Sequence, residues 1–185
     1  SGDVVSAHEA ARWTLEIAPR DEDALKMAAQ ASLRAQWYPV AIQHLKALLE
    51  IRSGDPEARQ MLAIAYLRVE QYARAIHLIT DLIRNEPGNP VHYYNLAVCY
   101  ARQNQAHETV SALQRAVGVA GAGLIWSWLG SEDFQSIRND AIFQGFVREL
   151  SGRQSSVMVR QMDEQPPVGG ILPRPPIELG PILRK

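Results

Sequence analysis

Residues 55–87 read DPEARQMLAIAYLRVEQYARAIHLITDLIRNEP, and this stretch decides the fold because its pattern recurs along the chain. Sliding the sequence against itself by 34 residues aligns chemically similar side chains in each copy. The aligned columns include Asp21, Asp55 and Asn89, then Ala29, Ala63 and Ala97, then Arg34, Arg68 and Arg102. A period of this length indicates stacked structural repeats, each of them a small supersecondary unit.

Each column has a physical reason if the repeat is a pair of antiparallel helices. Asp21, Asp55 and Asn89 can accept hydrogen bonds from the free amides of a helix start, and Pro56 and Pro90 follow where a missing amide does no harm. The alanine column lets a neighbouring helix approach closely. In the second half of each copy, apolar residues at three-and-four spacing predict a helix with one core-facing stripe. The polar turns between the two halves are short, so the helices must return antiparallel.

The middle copy matches a known motif at the positions Leu62-Ala63, Tyr66, Tyr72, Ala75, Ile79 and Pro87. This pattern resembles the tetratricopeptide repeat (TPR), and the third copy fits it nearly as well as the middle one. The resemblance implies an all-α fold: a right-handed superhelical solenoid of antiparallel helix hairpins, with C-terminal capping helices and an extended proline-rich tail.

The predicted organisation has four parts. In chain order they are a half repeat with a second helix only (3–19), three TPR-like repeats (22–55, 56–89 and 90–123), a C-terminal cap (124–150) and a proline-rich extended tail (151–185). Because the half repeat has no first helix, its apolar side chains should need cover, which a longer array, an oligomer contact or the tail could supply. These side chains are Val4, Ala7, Ala11 and Leu15.

The cap and the tail differ in chemistry. In the cap, Ser131 and Asp140 are good helix starts. We expect the large apolar residues of the cap to pack over the end of the last hairpin rather than to bind a ligand; they are Trp126, Trp128, Phe134, Ile137 and Phe143.

In the tail, prolines interleave with apolar residues from Val168 to Leu183. This pattern predicts an extended segment that docks on this chain or another, with a plain linker as the alternative.

Composition excludes several classes of function. The 19 basic and 20 acidic residues leave a net charge of -1, which gives no overall field for holding nucleic acid. The longest weakly polar run, from Val117 to Trp128, is too short to span a bilayer, so no membrane insertion is predicted. A single cysteine, Cys99, permits neither an internal disulfide nor a cysteine-based zinc site and leaves the compartment open, cytoplasmic or periplasmic.

The residues do not form a pattern for catalysis. The five histidines show no helical pairing with a carboxylate of the kind found in zinc proteases. The glycines near Gly121 lack the lysine and the preceding strand of a phosphate-binding loop. Cys99 lies in an apolar helical stretch, where a buried and inert thiol is expected. We therefore predict no catalytic residue, no metal site and no cofactor, and a protein that is not an enzyme.

The resemblance also implies which side chains line the concave wall, because in this family the first helices of successive hairpins form it. Carried over by position, they are Lys26, Gln30, Arg34, Gln60, Ile64, Leu67, Arg68, Tyr94, Asn95, Val98 and Arg102, with Leu33 and Ala101 beside them. Three arginines at the edge of an apolar strip suit an extended acidic-apolar peptide, since a guanidinium can bind a carboxylate at two points. The alternative is that the arginines only stabilise the carboxyl ends of their helices.

These observations predict a protein-protein interaction module that holds a partner peptide or helix in the groove of a TPR array, as part of a larger protein or assembly. The alternative is a structural adaptor or oligomerisation domain that acts through its apolar proline-rich tail and open N-terminal face, by homo-oligomer or tail-mediated self-association. The family's clamp for a chaperone's C-terminal carboxylate is matched only at Lys26 and Asn95. No chaperone partner is therefore predicted.

Overall fold

The computed structural model describes the backbone of residues 2–164 and the side chains of residues 9–153. Within these residues the regular structure is helical throughout. The elements are α1 (Gly2–Ile17), α2 (Glu22–Arg34), α3 (Tyr38–Ile51), α4 (Pro56–Arg68), α5 (Tyr72–Asn85), α6 (Pro90–Arg102), α7 (Ala106–Ala120), α8 (Ala122–Trp128), a 3-10 helix (Glu132–Ile137) and α9 (Ala141–Glu164). The prediction of an all-α fold built from helix hairpins is confirmed.

The first helix of each hairpin starts at the residue that the sequence predicts. Asp21 Oδ1 accepts a hydrogen bond from the Ala24 amide at 2.7 Å, and Asp55 Oδ1 accepts one from the Ala58 amide at 3.0 Å. Asn89 Oδ1 accepts one from Val91 N at 3.1 Å. Each bond satisfies an amide that has no partner inside its own helix, and such caps typically stabilise a helix by about 1 kcal/mol.

The three turns inside the hairpins share one backbone geometry. Gln36, Glu70 and Asn104 stand 34 residues apart and have left-handed backbones, with φ of 61°, 61° and 58°. In the middle turn, Glu70 N donates to Leu67 O at 3.1 Å and Gln71 N donates to Tyr66 O at 2.9 Å. The other two turns repeat this pair of bonds. The pair defines a Schellman motif, which ends the first helix and aims the chain back along it.

Glycine in the middle turn should stabilise the protein. Glu70 is exposed and carries a Cβ in a backbone region that costs most residues about 1 kcal/mol. We expect Glu70→Gly to raise the free energy of unfolding by about 0.5–1 kcal/mol, measured by urea denaturation followed by circular dichroism. Asn104→Gly is the matched control and should have a smaller effect, because asparagine tolerates this conformation well. A loss of stability in Glu70→Gly would contradict the argument.

The chain divides into two compact units between Glu86 and Pro87. In the first unit, α2 packs against α1 and α3, and α4 packs against α3 and α5. The small-residue column lies in its core, with Ala29 fully buried and Ala63 nearly so. Leu45 and Ile79, from the apolar stripes of the second helices, are also buried. Small and large side chains therefore alternate across the helix interfaces, which permits close packing.

In the second unit, α6 and α7 form a hairpin whose end is covered by α8, the 3-10 helix and α9. Trp128, Phe134, Ile137 and Phe143 are buried, as predicted for the cap. Trp126 is not: it is 37% exposed, so its predicted packing role is wrong. Residues two apart on a helix point to nearly opposite sides, and α8 therefore cannot bury both tryptophans.

The prediction of an extended tail from residue 151 is wrong in its first part. Helix α9 runs on to Glu164, since residues 151–164 contain no proline and nothing stops the helix. The proline-rich stretch 165–185, including its predicted docking, lies outside the described residues.

Helix α1 packs on α2. Ala11 is buried, and Leu15 is partly buried. On other sides of the helix Trp13 is 63% exposed and Ile17 is 88% exposed. Two large apolar side chains therefore remain open to a further partner.

Candidate functional site

Three first helices carry the same set of positions on one face. These positions are one turn apart and so lie above one another: 26, 30 and 34 on α2, 60, 64 and 68 on α4, and 94, 98 and 102 on α6. We call this the front face of each hairpin. The front faces of α2 and α4 belong to the first compact unit, and that of α6 belongs to the second.

The front face of α2 holds a carboxylate from the next hairpin. Lys26 Nζ forms an ion pair with Glu57 Oε2, and Gln30 Nε2 lies 3.5 Å from Glu57 Oε1. The Lys26 and Glu57 side chains are 36% and 30% exposed. Glu57 lies in the first turn of α4, where a negative charge also favours the helix dipole. These contacts link α2 to α4. They also occupy donor groups of Lys26 and Gln30 that an outside ligand could otherwise use.

The front face of α4 differs, because Gln60 and Arg68 make no hydrogen bond or ion pair to any residue that the structure describes. Arg68 is exposed, and Gln60 and Leu67 are partly exposed. Ile64 lies between them and is 9% exposed. By the repeat register the counterpart of Glu57 is Val91, which offers no carboxylate. The accessible groups of this face are thus an amide donor, a guanidinium and the partly exposed aliphatic side chain of Leu67.

The front face of α6 binds a carboxylate from the cap. An Nη of Arg102 lies 3.0 Å from Asp133 Oδ1, and the Tyr94 hydroxyl donates to Asp133 Oδ2 at 3.0 Å. The Ser131 hydroxyl donates to the same Oδ2 at 3.0 Å and accepts from the Asp133 amide at 3.1 Å. The Asp133 side chain is 9% exposed, so its charge is compensated almost entirely by protein groups.

The aromatic residue next to this carboxylate completes the contact. Phe134 is fully buried, with its ring 5.7 Å from Tyr94 in an edge arrangement and 5.7 Å from Phe143 in a stacked one. Tyr94 also meets Trp128 edge-on at 4.9 Å. At the end of α6 the Ser136 hydroxyl donates to Ala101 O at 2.6 Å. The 3-10 helix is therefore bound to α6 as a ligand would be, through charge, ring contacts and a backbone carbonyl.

The predicted groove residues consequently divide into three groups. Leu33, Ile64, Val98 and Ala101 are buried, so they do not form an open apolar strip, and this part of the prediction is wrong. Lys26, Gln30, Tyr94 and Arg102 hold the carboxylates of Glu57 and Asp133. The remaining side chains that stay exposed or partly exposed are Arg34, Gln60, Leu67, Arg68 and Asn95.

Sequence reasoning missed the partners of these side chains. Glu57 could have been found, because it stands in the first turn of the helix that follows Lys26. Asp133 and Ser136 belong to no repeat column, and their contacts join residues 31 to 39 positions apart. The only local signal was Ser131, whose type predicts a helix start and whose hydroxyl also holds Asp133.

Two apolar pockets lie on other faces, and the sequence did not predict them. One of about 590 Å³ lies in the first unit and includes Lys46 and Tyr66, over whose ring Arg74 lies at 5.6 Å. The other, of about 660 Å³, lies in the second unit between Trp126 and Arg148.

The described residues offer little for covalent or metal chemistry. Burial raises the pKa of the Cys99 thiol to about 12, so it is protonated at neutral pH and a poor nucleophile. Between residues 2 and 164 no group of three histidine, cysteine or acidic side chains is placed to hold a metal ion. Over the same residues none of the helices has the length and apolar character needed to cross a membrane.

A protein-family model and several solved structures resemble this chain in its repeated helix hairpins. The family model for subunit 3 of the anaphase-promoting complex, or cyclosome, matches residues 38–116, which is less than half of the chain. No curated protein sequence matches significantly.

Among solved structures, MamA (residues 41 to the end) from Desulfovibrio magneticus RS-1 is 19% identical with a TM-score of 0.68, over 89% of each chain. YrrB, described as a TPR protein with an unusual peptide-binding site, is 14% identical with a TM-score of 0.63, over 88% of this chain and 84% of that one. A thermophilic TPR protein from Thermus thermophilus, TTC0263, is 18% identical with a TM-score of 0.57, over 88% and 90%. Helix hairpins, repeat register and structural likeness agree, and the chain has the tetratricopeptide-repeat fold.

Proposed function

We propose that this chain is a protein-binding module rather than an enzyme, and that it holds a partner peptide or helix on the front face of α4. The observation that supports it is that the front faces of α2, α4 and α6, which are equivalent in the repeat, differ in whether they already bind a carboxylate. The faces of α2 and α6 each bind a carboxylate of the chain itself. The face of α4 has the matching donors, Gln60 and Arg68, without such a partner among the described residues.

The chemistry of this face favours an acidic and partly apolar guest. Arg68 is exposed and can donate two hydrogen bonds to one carboxylate. Leu67 is partly exposed and can bury an apolar side chain of the guest. The Lys26–Glu57 pair holds α2 against α4 and so keeps the surface in place before a partner arrives.

The test is a selection of short peptides that bind the full chain, followed by affinity measurements with two charge-reversal variants. Arg68→Glu should weaken the selected peptides at least about tenfold at low salt, and by less at high salt, because ions screen the charge interaction. Lys46→Glu is the matched control: it makes the same charge change on the exposed side of α3, in the pocket described above. Peptides that lose affinity for Lys46→Glu but not for Arg68→Glu would place the site elsewhere.

A second candidate function rests on α1. Exposed Trp13 and Ile17 favour an adaptor or oligomerisation role through the N-terminal face, since they lie one turn apart on α1 and form a contiguous exposed apolar patch, a kind of surface that marks interaction sites. The same selection separates the two functions. Peptides that depend on Trp13, tested with Trp13→Ala, and not on Arg68 would support this second role.

A further inference from the structure

The chain contains a ligand for one of its own front faces, and that ligand shows what the open face should bind. We infer that the partner of α4 presents an acidic residue followed directly by an aromatic one, as Asp133 and Phe134 do toward α6. This inference deepens the proposed function and rests on it. It names a chemical class of partner, an internal acidic-aromatic pair in a tight turn.

The repeat register relates the donors that bind Asp133 on α6 to residues of α4. Asp133 is bound by Arg102 at 3.0 Å and by the Tyr94 hydroxyl at 3.0 Å. On α4 the same two positions, 34 residues earlier, are Arg68 and Gln60. Arginine is retained, and the glutamine amide can donate a hydrogen bond as the tyrosine hydroxyl does. One carboxylate placed between these two positions would meet two donors on α4 as it does on α6.

The residue after Asp133 is the aromatic Phe134, which needs an apolar contact. Phe134 packs edge-on against Tyr94 at 5.7 Å, and Val98, one turn further along the front face of α6, is 2% exposed. On α4 the counterpart of Val98 is Ile64, and Leu67 is partly exposed beside it. Ile64 is itself buried, so Leu67 is the aliphatic side chain that can cover an aromatic ring, without the edge contacts that Tyr94 supplies. The face of α4 should therefore bind the pair more weakly than α6 does.

The bound carboxylate belongs to a side chain inside a continuous segment and not to a chain end. The segment continues past Phe134, with Ser136 bonded to Ala101 O at 2.6 Å and Ile137 buried. These extra contacts hold the internal ligand on α6. An added peptide of the same sequence should therefore occupy α4 and leave the contact with α6 intact.

The probe is a labelled synthetic peptide of residues 130–138, GSEDFQSIR, with blocked ends, titrated with the full chain and followed by fluorescence anisotropy at low salt. We expect saturable binding with a Kd on the order of 0.1 mM, weak because the free peptide must be ordered. Peptides with Asp133→Asn or Phe134→Ala should each bind about five- to tenfold more weakly. A peptide of the same composition in scrambled order is the control for charge alone.

Variants of the chain locate the peptide. Arg68→Glu should abolish binding within the measurable range, and Lys46→Glu, the exposed control on α3, should leave it within about twofold. Binding that depends on Arg102 and not on Arg68 would show displacement of the internal segment and would overturn the inference, as would no binding at about 1 mM of the full chain. If this peptide fails while selected peptides still require Arg68, the binding function stands and the acidic-aromatic class is wrong. If the selected peptides do not require Arg68 either, the proposed function and the acidic-aromatic class of partner are both wrong.

Discussion

Replacing Phe134 by alanine will lower the free energy of unfolding of the second unit by about 3–5 kcal/mol. The ring is fully buried and contacts Tyr94 and Phe143, so its removal leaves a cavity and breaks two aromatic contacts. The loss should appear as faster amide hydrogen exchange in α6 and in the first turns of α9, together with a lower midpoint in urea. Because TPR arrays gain stability from neighbouring elements, the helices near the cap should be affected most.

The control for this substitution is Leu124→Ala, in the same cap but 42% exposed. We expect it to cost no more than about 0.5–1 kcal/mol, as is usual for partly exposed positions. Equal losses for the two variants would show that the cap is loosely packed and that Phe134 does not anchor it.

Replacing Asp133 by alanine should cost about 1–3 kcal/mol, chiefly because two partners lose their acceptor. The hydroxyls of Tyr94 and Ser131 each donate to its carboxylate at 3.0 Å, and Ser131 is buried. Arg102 contributes less, since its side chain is 41% exposed and water can replace the lost carboxylate. Urea denaturation of the full chain measures the loss, and Glu132→Ala, the exposed neighbouring acid, should be almost neutral.

A double-mutant cycle separates the ion pair from the rest of this contact. Combining Asp133→Ala with Arg102→Ala should reveal a coupling of about 0.5–1 kcal/mol, and with Tyr94→Phe a coupling of similar size. A coupling of zero in both cycles would mean that the 3-10 helix is held by Phe134 alone. The polar contacts of Asp133 with Arg102 and Tyr94 would then not help to hold this segment on α6.

Much of the fold could be predicted from the sequence because its determinants are local. The capping residues Asp21, Asp55 and Asn89 start helices through bonds to amides two or three positions away. The period then places every hairpin without knowledge of long-range contacts. The end of α9 is not predicted correctly, because the prolines from Pro166 onward suggest an extended segment from residue 151, although residues 151–164 contain none.

The candidate site could be predicted only in part. The register located the front-face positions, since residues four apart share one side of a helix. It could not show that Val98 is buried or that Arg102 already has a carboxylate, because Asp133 reaches α6 through a fold-dependent contact between residues 31 positions apart. The three arginines carried over by the resemblance favour an acidic-apolar guest, and within the chain Asp133 and Phe134 contact the front face of α6.

The burial of Cys99 has a practical consequence for spectroscopy on this protein. With a pKa of about 12 and no exposed surface, the thiol should stay unmodified by maleimide dyes at neutral pH while the fold is intact. A single cysteine engineered at an exposed position would then carry the only fluorophore, without prior removal of the native one. Donor and acceptor probes could thus be attached to the array and to a peptide separately, and distances between them followed during binding.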